Sequence, residues 1–120
     1  MVREMDERRE RARHEVWFPV RVDSEKIGEH VAVTRDVSSG GVLLSTRSAP
    51  EEGARVIVSF KVLPEDEVEH QVVAHIVRVE PNPEDPDGLW PLRIALAFET
   101  PVPELESQLS AAEAKRREGG

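Results

Sequence analysis

The sequence contains no cysteine, which excludes disulfides, thiolate metal sites and a cysteine nucleophile. It has no apolar run approaching the roughly 20 residues that a membrane helix needs, so no insertion into a bilayer is expected. Charged residues fill the N-terminal segment where an export signal would place its apolar stretch, and the expectation is a cytoplasmic location. A basic excess is also missing: 16 Lys and Arg stand against 24 Asp and Glu, a formal net charge of −8. Such a chain is ill suited to tracking phosphates along DNA or RNA, and neither is expected as a partner.

Catalytic and metal motifs are incomplete in a similar way. The glycine that a nucleophile elbow needs two positions before its serine is absent, because Asp36 precedes Ser38 there. His14–Glu15 is followed by Phe18 where a zinc-protease pattern needs a second histidine. His70 and His75 lie five apart on a strand and therefore face opposite sides, one outward and one partly buried. Pro83 and Pro86 break the calcium-loop spacing around Asp85, Asp87 and Gly88, and no glutamate closes the loop. The chain is not expected to be an enzyme or to carry a metal or cofactor.

What is present is a strand pattern. With 120 residues there is room for one domain and a modest core. Val16, Phe18, Val20 and Val22 alternate with Trp17, Pro19 and Arg21, the signature of a half-buried strand. A polar turn at 23–29 follows, and Val31 and Val33 carry the alternation to Arg35. Trp17, on the side opposite Phe18, is expected to cover the barrel beneath a C-terminal helix rather than to stack on a purine. After Gly40–Gly41, strand character resumes at 42–44, and Val56, Val58, Phe60 and Val62 line one face of the next strand. Between Val72, Ala74, Ile76 and Val77, Val79 the apolar phase changes, as a β-bulge or a strand buried on both sides would require. Pro81–Pro91 reads as a surface loop, and Leu92, Ile94, Leu96 and Phe98 as the last strand. From Pro103 the period lengthens, with Leu105, Leu109 and Ala112 at helical spacing. Six antiparallel strands and a closing helix avoid exposed edges most simply as a small barrel.

Two clusters carry the chemistry. Residues 1–15 hold five arginines and five acids, and four of the six residues from Arg8 to Arg13 are arginine. A guanidinium presents a planar fork of donors that matches phosphate oxygens and the O6/N7 edge of guanine. Alone, such a terminal segment reads as a solvated arm. The second cluster is Asp36–Val37–Ser38–Ser39–Gly40–Gly41, between two strands. Its carboxylate can accept the N1–H and N2–H₂ donors of guanine, while serine and glycine offer a local anion cradle. Alone, it reads as an ordinary turn.

Together the clusters resemble the PilZ family of bacterial cyclic di-GMP receptor domains. That family carries RxxxR before the first barrel strand and D/N-x-S-x-x-G at the end of the second. Arg9 and Arg13 supply the first motif, with Arg8 beside them and the run His14–Val20 after them. Asp36, Ser38 and Gly41 fill the second. The last strand departs from the pattern, with Ala95 and Ala97 where many relatives have glycine, and the loop before it is longer.

The resemblance implies a mostly β fold: a six-stranded antiparallel barrel over 16–100, a flexible arginine-rich arm over 1–15, and a C-terminal helix and tail over 101–120. It also implies a ligand, cyclic di-GMP. Arg9 and Arg13 would grip phosphate and guanine, and Arg8 would add a contact. Asp36 would read the guanine edge, Ser38 would bond phosphate or base, and Gly41 would admit the backbone. The implied output is a signal passed to a protein partner in motility or biofilm regulation, from a monomer or homodimer. The alternative is a protein-interaction adaptor of the same fold, serving motility or pilus assembly without the nucleotide.

Overall fold

The computed structural model describes residues 14–63, 65–67 and 69–119, with side chains through residue 115 in the last helix. Arg8, Arg9 and Arg13 lie outside the described residues. Six strands follow one another: β1 (Pro19–Ser24), β2 (Gly28–Ser38), β3 (Gly41–Thr46), β4 (Arg55–Phe60), β5 (His70–Pro81) and β6 (Leu92–Phe98). Helix α1 (Leu105–Gly119) completes the chain. The strands close into an antiparallel barrel in the order β1-β2-β3-β6-β5-β4.

The alternation in the sequence becomes the barrel wall. Val22, Ala32, Leu44, Val58, Ala74 and Ile94, one from each strand, are fully buried inside it. Complete burial of a valine, leucine or isoleucine contributes roughly 1.5–3 kcal/mol. Leu105 and Leu109 are equally buried, which docks α1 on the barrel. Thr34 is a buried polar exception with a clear task. Its hydroxyl accepts the Phe18 N–H at 2.9 Å and donates to the Val16 carbonyl at 2.5 Å, holding the chain that enters β1.

Two expectations need correction. On β2 the buried phase is Ala32 and Thr34, whereas Val31 faces outward and is 53% exposed. Register is the reason: Val20 lies opposite Ala32 and Val22 opposite His30, and directly opposed residues share a face. Trp17 does not sit beneath α1; it is 60% exposed. Val16 and Phe18 point inward on either side of it, and the Arg35 guanidinium lies 5.1 Å from its ring centroid, a cation–π contact that suits an amphipathic ring at the surface.

Candidate functional site

Two bulges build the site. The first interrupts the β2–β3 ladder, where Thr34 opposes Leu44 but Asp36 opposes Leu43, leaving Arg35 as the extra residue. Uninterrupted alternation from Ala32 and Thr34 would send Asp36 into the core; the bulge turns it outward and Val37 inward. The second interrupts β5–β6, where Ile76 opposes Leu96 and Arg78 opposes Ala95, with Val77 extra. It does the same for Arg78, which would otherwise continue the buried series Val72, Ala74, Ile76. Two charged side chains thus leave the interior on the same outer face.

Register then places them at the ends of one row. Asp36 lies opposite Leu43, Leu43 opposite Ala95, and Ala95 opposite Arg78. A second row runs from Ser38 through Gly41 and Ala97 to His75. Gly41, Ala95 and Ala97, small residues in the middle of these rows, leave an open groove of about 300 Å³ between the Asp36–Gly41 turn and Arg78. At about 4.8 Å per strand, Asp36 and Arg78 stand roughly 14 Å apart across it.

The turn residues are held in different ways. Asp36 has no hydrogen-bond or ion-pair partner among the described residues, so its carboxylate is available to donors in the groove. Ser38 is partly engaged: its hydroxyl accepts the Gly40 N–H at 3.2 Å and donates to the Gly41 carbonyl over a long 3.4 Å. One lone pair remains for a ligand donor, and the long bond is weak enough to exchange. Gly41 is required by close approach rather than by an unusual φ. A Cβ there would fall inside contact distance of the Leu96 carbonyl oxygen on β6. Among the described residues Arg78 keeps only a 3.4 Å contact from Nε to Glu80.

The sequence reading did not single out Arg78, although its place beside the phase change at Val77 was a usable signal. It also missed His14. The backbone of His14 pairs with Val37, donating to the Val37 carbonyl at 2.8 Å and accepting the Val37 N–H at 3.0 Å. His14 is therefore pinned to the strand between Asp36 and Ser38. The His14 ring is buried against α1, with Nδ1 2.8 Å from Glu113 Oε1 and Nε2 3.3 Å from Glu106 Oε1. Burial pulls the imidazole pKa down, but the hydrogen bonds and charges of Glu113 and Glu106 outweigh it, and the net shift is upward from 6.5. The turn also holds the approach to α1, through the Ser39 carbonyl accepting the Val102 N–H at 2.8 Å.

His70 and His75 face opposite sides of β5, as expected. His70 stacks on Phe60 at 5.3 Å between ring centroids, and His75 meets Glu99 at 2.8 Å. No helix among the described residues is long and apolar enough to cross a membrane.

Similar barrels are known. The PilZ domain of YcgR from Escherichia coli, described with c-di-GMP, aligns with a TM-score of 0.65 at 16% identity, covering 93% of this chain and 96% of that one. MotI/DgrA, the Bacillus subtilis inhibitor of motility, aligns with a TM-score of 0.65 at 17% identity over 91% of this chain and 51% of its own. The K. pneumonia MrkH–c-di-GMP complex gives a TM-score of 0.60 at 15% identity, over 89% of this chain and 54% of its own. This chain thus spans about half of MotI and MrkH and nearly all of the isolated YcgR domain. These likenesses are of fold. No curated protein sequence matches the chain. The family model for the PilZ domain matches residues 7–112, from the arginine cluster through the barrel into α1, and on that match the chain belongs to the PilZ domain family.

Proposed function

We propose that this domain binds cyclic di-GMP in the groove beside the β2–β3 turn and passes the signal to a protein partner. The observation that carries the reading is the Asp36 carboxylate, unpartnered among the described residues, beside the pinned backbone of His14. His14 is fixed against Val37, Arg13 directly precedes it, and Arg9 is five residues away. At no more than about 3.5 Å per residue, plus the side chains, Arg13, Arg9 and Arg8 are all within reach of the groove.

Arg9 and Arg13 grip the phosphates and stack on or pair with guanine, with Arg8 as an added contact. Asp36 accepts the two N–H donors of the guanine edge. Ser38 accepts a base donor or, on releasing Gly41, donates to phosphate. Gly41 and the alanines of β6 keep the floor low, and Arg78 offers a guanidinium from the opposite end. The c-di-GMP named for the YcgR domain and for MrkH supports this choice of ligand. Output follows from the connections of the turn: an arm ordered over ligand changes the exposed surface, and Val37 and Ser39 tie the site to α1.

Calorimetric titration of the folded protein with cyclic di-GMP tests the reading. Saturable binding that disappears in Arg13→Ala and Asp36→Ala is the expected result. A flat titration with well-folded protein removes the receptor and leaves the adaptor.

A further inference from the structure

At the end of β2 and β3 away from the turn, a second pocket of about 260 Å³ is lined by His30, Val31, Arg47, Ser48, Leu89 and Trp90. His30 is eight residues from Ser38 along β2, which places this pocket roughly 25 Å from the groove.

Four observations converge on it. His30 faces the barrel interior opposite Val22, and both of its ring nitrogens are sealed from solvent without a hydrogen-bond partner. An imidazole carries at least one N–H in either protonation state, and leaving a buried donor unpaired is destabilising. Among the described residues Arg47 has no carboxylate partner, whereas Arg21, Arg35, Arg55, Arg78 and Arg93 each have at least one. Its backbone is fixed, because the buried Thr46 hydroxyl donates to the Ser48 carbonyl at 2.7 Å and accepts the Ser48 N–H at 3.3 Å.

The apolar wall is fixed too. Asn82, 2% exposed, donates from Nδ2 to the Trp90 carbonyl and accepts the Glu84 N–H at Oδ1. Asp85 accepts the Trp90 N–H, and a Cβ at Gly88 would collide with the Asp85 carboxylate. This tight loop presents Leu89 at 68% exposure beside the pocket.

We infer that this pocket binds a small organic carboxylate that carries an adjoining apolar group. The Arg47 guanidinium takes the carboxylate as a fork, a turn of the His30 ring towards the pocket gives its N–H an acceptor, and Val31, Leu89 and Trp90 cover the apolar part. A phosphate dianion fits less well, since one guanidinium faces it in a protein of net charge −8. A metal ion would find one imidazole and no carboxylate among the lining residues. The inference is independent of the nucleotide reading.

The test is an NMR titration of the full chain with N-acetyl-phenylalanine and, separately, its C-terminal amide. The two tryptophans give an internal control, because Trp17 lies outside this pocket. The acid should shift the Trp90 indole and His30 ring signals saturably, leave Trp17 unmoved, and bind at least about tenfold more tightly than the amide. Arg47→Gln, at an exposed position, should keep the folded spectrum and lose that preference, while Asp36→Ala should bind the acid as the wild type does. Equal titration by acid and amide, shifts centred on Trp17 or the Asp36 groove, or no saturable shift would overturn the assignment.

Discussion

Asp36 separates structural from ligand energetics within a single residue. It has no partner among the described residues, so Asp36→Ala should leave stability within about 0.5 kcal/mol of wild type by urea unfolding. The same change should weaken cyclic di-GMP by at least about thirtyfold in calorimetry, the loss of roughly 2 kcal/mol from hydrogen bonds to a charged acceptor. Gly41 has the opposite character. Gly41→Ala pushes a methyl group against the β6 backbone and should cost about 1–3 kcal/mol of stability, as overpacking does, whether or not nucleotide is present. Unfolding curves with and without ligand check this. An unchanged midpoint would mean that β3 and β6 part without strain.

Among the elements, α1 meets the entry segment through the His14 imidazole and through the Glu15 N–H, which Glu113 accepts at 3.1 Å. Glu113 and Glu106 raise the His14 pKa against the effect of burial, so the charged ring is favoured in the folded state. Its contribution is fully present below pH 6.5 and is lost as the pH climbs through the raised value. Wild-type stability should therefore fall relative to His14→Gln as the pH rises from about 6 to about 9, with amide exchange in α1 accelerating first. Parallel stability curves for the two proteins would refute the coupling.

The bulges show what a sequence can reveal at this scale. The one at Val77 was legible because apolar residues on both sides registered the change of phase. The one at Arg35 was not, because Thr34, Arg35 and Asp36 are all polar and carry no phase to lose. The motif residues 36, 38 and 41 could be named from their order alone, whereas the row that joins Asp36 to Arg78 exists only through the pairing of four strands. Trp17 went astray for a related reason: alternation says which side a ring takes, not what covers that side.

For the molecule as a whole, the balance of charge governs recognition at a distance. A chain of net charge −8 repels a dianionic nucleotide except where the N-terminal arginines are concentrated. Affinity for cyclic di-GMP should therefore fall several-fold between low and high salt, as screening weakens guanidinium–phosphate attraction. A titration series in sodium chloride measures it, and a flat series would mean that the arginines do not touch phosphate. Pairing of β1 with β4 has a further consequence. A ring of strands offers no unsatisfied row of amides and carbonyls along which a neighbour's chain can be stitched. The partner proposed above would have to recognise the domain through side chains, loops or the helix, and that contact surface is open to redesign without disturbing the wall.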